Sequence, residues 1–186
     1  MKKIVLLFVL LTSAILARDV TFHGLDVTLN SNGLKIGDDA PVFYTTTINL
    51  EEMAIGGQKD KVQVIAFSPS LDTGTCELET VTFNKRIAEM GNVVLTVVTK
   101  DLPYAQKRFC TTHNIKNIHV VSDYKDVNNA LRYGATVSSP AMIEGLFGRV
   151  IYIVDTKGKV AYRQFVKEIS YEPNYQEIIK ALKDIK

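Results

Sequence analysis

Residues 62–98 read VQVIAFSPSLDTGTCELETVTFNKRIAEMGNVVLTVV, and this stretch decides the fold. Val62 to Phe67 and Val93 to Val98 are β-branched apolar runs suited to strands buried on both faces. Between them, Cys76 to Met90 carries Phe83, Ile87 and Met90 at helical spacing. This is a strand-helix-strand unit, for which a right-handed crossover is expected. The connecting segment Pro69 to Glu77 falls at the carboxyl end of a strand, where α/β sheets gather ligands. Asp72 or Thr73 can cap the helix, which puts Cys76 in its first turn. Unpaired N–H groups and the helix dipole favour an anion there, so a thiol in that position tends toward thiolate.

Working outward, Leu102-Pro103 opens a second helix from about Tyr104 to His113, with proline at an allowed first-turn position. A short strand around Ile118 to Val121 follows. Val150 to Val154 and Lys159 to Phe165 are strands joined through Asp155-Thr156-Lys157-Gly158, a turn signal that makes them an antiparallel hairpin. A last helix is expected from about Asn174 to Ile185, with Ile178, Ile179 and Leu182 on one face. At the other end, Asp19 to Leu29 alternates around Gly24, which predicts an N-terminal β-hairpin decorating the main fold. The fold class is therefore α/β, a mixed sheet with helices on both faces. No repeat, low-complexity stretch or linker divides the body, so residues 18–186 are expected to form one domain.

The chain has 186 residues, 22 of them Lys or Arg and 20 Asp or Glu. Lys2 and Lys3 account for the whole net charge of +2, and the rest carries 20 residues of each sign. A balanced body has no electrostatic footprint for nucleic acid. Met1-Lys2-Lys3, the apolar run Ile4 to Leu11 and the small Ala17 have the form of a secretory signal over residues 1–17. The 14 residues from Ile4 to Ala17 fall short of the roughly 20 that a spanning helix needs, so no stable membrane insertion is expected once the signal is removed. The mature protein is expected to begin near Arg18 and to be exported, in the periplasm, where disulfides persist.

The chain has 2 cysteines, Cys76 and Cys110. Two are too few for a disulfide scaffold or an all-cysteine zinc site. A structural bridge between them would enclose 33 residues and stabilise by about 4 kcal/mol in the chain-entropy model. That bridge would suit a noncatalytic exported binding protein. A redox role for the same pair stays equally open on spacing alone. A dithiol oxidoreductase is disfavoured because no Cys-x-x-Cys is present. No metal, flavin or nucleotide motif is visible, so no cofactor is expected.

The residues around Cys76 bear on that choice. Pro69, Thr73 and Cys76 stand in the pattern Pro-x-x-x-Thr-x-x-Cys, which resembles the peroxiredoxin active-site motif, and the string SPSLDTGTC resembles its thiol peroxidase subgroup. DLPYAQKRFC (101–110), GLFGR (145–149) and EISYEPNY (168–175) are similar, in order, to that subgroup's resolving-cysteine, arginine and C-terminal segments. The resemblance implies a thioredoxin-like fold with Cys76 as peroxidatic and Cys110 as resolving cysteine. It implies that Thr73 hydrogen-bonds the thiolate and the peroxide, that Pro69 shields the pocket, and that Arg149 orients both sulfur and peroxide. It further implies a peroxide substrate, a Cys76–Cys110 disulfide within one subunit, a thioredoxin-like reductant, antioxidant defence and a homodimer. Replacing Arg149 is then expected to slow catalysis with little loss of stability. Ser138 to Glu144 departs from the subgroup's usual run, so the shape of that segment is not carried over.

Overall fold

The computed structural model describes residues 20–87, 90–125 and 130–185. The proposed signal, residues 1–17, lies outside them. Among the described residues no helix is long and apolar enough to cross a membrane.

The strand-helix-strand unit forms as its sequence dictates. Strand β5 (Val62–Phe67) leads to helix α1 (Gly74–Arg86) and then to β6 (Val93–Thr99), which pairs parallel to β5 from Val62↔Val93 to Phe67↔Val98. Helix α2 (Pro103–Thr112) crosses over to β7 (His119–Ser122), parallel to β6. The hairpin of β9 (Val150–Val154) and β10 (Val160–Phe165) lies antiparallel on the other side of β5, and α3 (Tyr175–Asp184) closes the chain. Two strands not read from the sequence, β3 (Phe43–Thr47) and β4 (Glu52–Ile55), extend the far edge. The result is a mixed sheet of seven strands in the order β10-β9-β5-β6-β7-β3-β4.

All of β5 is buried, and its alternate side chains feed two cores. Val62, Val64 and Ala66 join Phe83 and Ile87, Phe109 and Cys110, and Ile178 and Leu182, so α1, α2 and α3 pack on one face. The helices expected on both faces are met on the other side by the 3-10 helix Leu131–Tyr133, whose Tyr133 joins the second core. The path β5, β6, β7 moves one way across the sheet, and two right-handed crossovers in one direction put α1 and α2 on the same side. The opposite face takes Ile65 and Phe67, covered by the 3-10 turn Leu131–Tyr133 and neighbouring chain through Tyr133 and Phe147. Phe67 meets Tyr133 and Phe147 with ring centroids 5.4 and 5.2 Å apart, tilted and edge-on contacts that add about 1 kcal/mol each beyond the area they bury.

The N-terminal hairpin is more than decoration. Strands β1 (Val20–Phe22) and β2 (Leu25–Leu29) turn through His23 and Gly24, whose φ angles of 51° and 79° suit a tight two-residue hairpin. β2 also pairs with β8 (Val137–Ser139), giving a second sheet of three strands, and β1 runs alongside Lys167–Ile169. Val20, Val27, Val137 and Ile169 form a small core between them.

One carboxylate clasps this hairpin. Glu168 accepts five hydrogen bonds, from the Thr21 hydroxyl, the His23 and Gly24 N–H groups, and the Ser170 N–H and hydroxyl. Partial burial pushes its carboxyl up, but the Ser170, Thr21 and Gly24 bonds outweigh this and hold it at about 2, below the usual 4.5. A carboxyl depressed in the fold stabilises above its unfolded pKa and loses that contribution as pH falls through its folded one. The clasp is therefore complete at neutral pH and fades from pH 4.5 toward about 2. Discounted for solvent screening, its contribution is about 1 kcal/mol. Glu168→Gln is expected to lower the urea midpoint at neutral pH and to narrow the gap to wild type near about pH 3. Equal midpoints at neutral pH would show that the clasp contributes nothing.

Candidate active site

Cys76 is the third residue of α1 and is fully buried. The helix begins there because Thr73 takes an extended conformation (φ −115°, ψ 141°) while its carbonyl accepts the Glu77 N–H at 2.9 Å. Gly74 and Thr75 are weak helix formers, so the turn that carries the sulfur is the least intrinsically stable part of α1.

Arg149, at the mouth of β9, reaches that sulfur: its Nη2 lies 3.4 Å from Cys76 Sγ. The arginine is only 2% exposed and spends every arm of its guanidinium. Nε donates to the Ile169 carbonyl at 3.1 Å, and Nη1 donates to Ser68 Oγ at 3.2 Å and forms a tight ion pair with Glu79 Oε2. Ser68 in turn donates to the same carboxylate oxygen at 2.7 Å. Burial works against the charge on Arg149, while Glu79 and then Cys76 outweigh it and hold the guanidinium above its usual value. Burial pushes the Glu79 carboxyl up, with Arg149 and Ser68 pulling against it.

Neither Glu79 nor Ser68 stood out in the sequence. A glutamate in the second turn of a helix reads as solvent-facing, and the only signal was its spacing of three from Cys76, which puts both on one helix face.

Thr73 and Pro69 line a cleft of about 330 Å³ beside Arg149. Its other walls are Phe22 and His23 from the hairpin, Ile143, Leu146 and Phe147 from the segment before β9, and Ile169. The departing stretch Ser138 to Glu144 therefore leads into the cleft wall through Ile143. The Thr73 hydroxyl donates to the Ser70 carbonyl at 3.1 Å. Its proton is committed there, and its lone pairs are what it can offer a bound O–H group.

Cys110 lies in the last turns of α2, and both thiols are buried and free. Burial pushes the Cys110 thiol up to about 11. A second cleft of about 400 Å³, lined by Met53, Ile115 and Ile118 among others, opens beside it. Helices α1 and α2 both start at the carboxyl edge of the parallel strands, with Cys76 third in one and Cys110 eighth in the other. Counted from each helix start, Cys110 is thus about five residues further along than Cys76, a rise of about 8 Å on an ideal helix.

Comparison with known proteins decides the family. Residues 35–179 match the Redoxin family model. Over 172 residues the chain is 46% identical to a thiol peroxidase of Aquifex aeolicus, covering 91% of this chain and 99% of that protein. The chain belongs to the peroxiredoxins, in the thiol peroxidase subgroup. A thiol peroxidase of Bacillus subtilis is 35% identical over 89% of this chain and 96% of its own. The crystal structure of a peroxiredoxin-like protein from Aquifex aeolicus superposes with a TM-score of 0.85 at 46% identity, covering 89% of this chain and 95% of that one. A thiol peroxidase structure from Chromobacterium violaceum, at 18% identity and a TM-score of 0.75, shares the fold. This peroxiredoxin thus has the thioredoxin-like sheet expected from its motifs, and it is a peroxidase of the peroxiredoxin type.

Proposed function

We propose that the protein reduces hydrogen peroxide and organic hydroperoxides to water and alcohols through a cycle carried by Cys76 and Cys110. The observation that carries this reading is the Arg149 Nη2 to Cys76 Sγ contact at 3.4 Å, beside an open cleft. The Cys76 thiolate attacks one peroxide oxygen, an S–O bond forms, and the O–O bond breaks. The departing oxygen takes a proton and leaves as water or alcohol, and the sulfur is oxidised to a sulfenic acid. Negative charge moves from sulfur to the leaving oxygen, and Arg149 is fixed in advance where it can follow that charge. Thr73 accepts the peroxide O–H, and Pro69 keeps water from the sulfur.

Cys110, a protonated thiol at neutral pH given its raised pKa, then condenses with the sulfenic acid. The S–S bond forms, and the hydroxyl leaves with the thiol proton as water. Disulfide geometry needs Cα atoms about 4.4 to 6.8 Å apart, and the two free, buried thiols lie on different helices, one near its start and the other near its end, so their meeting requires local unwinding. The two helix ends that carry the cysteines are the places where unwinding costs least. A thioredoxin-like dithiol reduces the disulfide by thiol exchange and restores both thiols. Such a cycle serves antioxidant defence, and a homodimer is the assembly we propose.

Peroxide titration of the reduced protein, read by intact mass, tests this function. The other reading, a noncatalytic exported binding protein with one structural bridge, is less well supported, because the two thiols are separate and buried in the fold. We place the protein in the periplasm, exported by residues 1–17 as a cleaved signal. N-terminal sequencing of native protein is expected to start near Arg18, and an intact Met1 would exclude cleavage.

A further inference from the structure

We infer that Asp101 is a positioning residue for both halves of the cycle: its carboxylate holds the Cys76 loop in the reactive form, and its grip sets how readily that loop opens toward Cys110. This inference rests on the two-cysteine cycle proposed above. Asp101 touches neither sulfur. It acts through the loop that starts α1.

The loop rests on this one carboxylate. Oδ1 accepts the Ser70 hydroxyl and Oδ2 accepts the Leu71 N–H, both at 2.7 Å. Ser70 passes the restraint on: its Oγ accepts the Asp72 N–H at 3.3 Å, and its carbonyl accepts the Thr73 N–H and hydroxyl at 3.3 and 3.1 Å. Thr73 is the residue from which α1 springs, and Cys76 lies three residues on. The chain of bonds therefore runs Asp101, Ser70, Thr73, and then the turn bearing the sulfur.

A second arm reaches the helix that carries the other cysteine. Thr99 Oγ1 donates to Asp101 Oδ2 at 2.8 Å and accepts the Gln106 Nε2 proton at 3.0 Å. Gln106 is fully buried on α2, four residues before Cys110 and so on the same helix face. Asp101 itself stands two residues before Pro103, the first residue of α2. One carboxylate thus ties the start of the peroxidatic helix to the start of the resolving helix. An ionised carboxylate only accepts, and its bonds are roughly twice as strong as neutral ones. Asparagine keeps the shape, loses the charge and turns one acceptor into a donor.

Resolution requires the sulfenic acid to leave its pocket and meet the Cys110 thiol, with loss of water as the S–S bond forms. Where opening precedes condensation, the rate follows the open fraction. Weakening the closed form must therefore speed resolution. Attack on peroxide uses the closed form, with Thr73 and Arg149 in place, so that step gains nothing and loses from a displaced Thr73.

Rapid-quench mass spectrometry of the full chain after one equivalent of hydrogen peroxide separates the two steps. Sulfenic acid formation is read in a Cys110→Ser background and disulfide formation in the intact pair. Asp101→Asn is expected to speed disulfide formation about tenfold, equivalent to about 1.4 kcal/mol, while sulfenic acid formation is no faster than in wild type. Ser70→Ala, which removes one of the three bonds, should move both rates in the same directions by a smaller factor. A merely structural role would slow both steps together and would not raise the second. Resolution unchanged or slower in both variants overturns the inference. Wild type that forms no disulfide at all overturns the cycle itself, a result distinct from the first.

Discussion

Titrated with hydrogen peroxide, the reduced wild-type protein is expected to lose two hydrogens per chain, and Cys76→Ser none. Serine keeps the shape but lacks the polarisable thiolate that the proposed attack on the O–O bond requires. Cys110→Ser is expected to stop after the first step. It should gain one oxygen at Cys76 and, with excess peroxide, climb to the sulfinic and sulfonic acids. The rate matters as much as the product. A simple exposed thiol is only a few per cent thiolate at pH 7. Lowering its pKa to about 6 raises that fraction roughly thirtyfold, but intrinsic nucleophilicity falls with pKa at a slope of about 0.4 to 0.5 and takes part of the gain back. The larger share must come from preorganised donors, each worth about 10² to 10³ in rate. Wild type is therefore expected to outrun a free thiol by at least about 10³. Oxidation no faster than that of an exposed thiol would falsify the peroxidase cycle.

Much of this was legible before any coordinates. The β5-α1-β6 unit follows from two β-branched runs around a helical repeat, and Cys76 falls in the first turn as expected, with Thr73 at the N-cap position although its side chain makes no cap bond. What escaped has physical reasons. β3 and β4 are short, and β4 carries Glu52 and half-buried Met53 and Ala54 at the sheet edge, so neither shows a clean alternation. The hairpin became a cleft wall only because Glu168, about 145 residues along the chain, clasps its turn. Such a partner leaves no local signal. The same holds for the arginine. From its own neighbours Arg149 is a residue before a strand, usually a surface position. Its burial is possible because Glu79, 70 residues earlier, sits on the helix face that also carries Cys76.

That pairing changes what replacing the arginine will do. Arg149→Ala is expected to slow peroxide consumption by about 10² to 10³, the loss of one preorganised donor at the developing charge. The sequence suggested little change in stability, and the structure points the other way. Glu79 is fully buried, its Oε1 has no hydrogen-bond partner among the described residues, and Oε2 would keep only Ser68. Breaking a buried pair from one side costs about 3 to 5 kcal/mol, because the remaining charge is left uncompensated. Two further variants separate stability from chemistry. Adding Glu79→Gln to Arg149→Ala removes the stranded charge and should recover part of the urea midpoint while the rate stays low. Arg149→Lys keeps a charge, yet one ammonium cannot reach the Ile169 carbonyl, Glu79 and Cys76 Sγ at once. It should recover stability without the rate. Wild-type rates in Arg149→Lys would show that charge alone suffices, and wild-type rates in Arg149→Ala would remove the arginine from the chemistry. If both variants lose rate while their stabilities part, the guanidinium works by its geometry, holding donors on the sulfur from a position that Glu79 makes tenable.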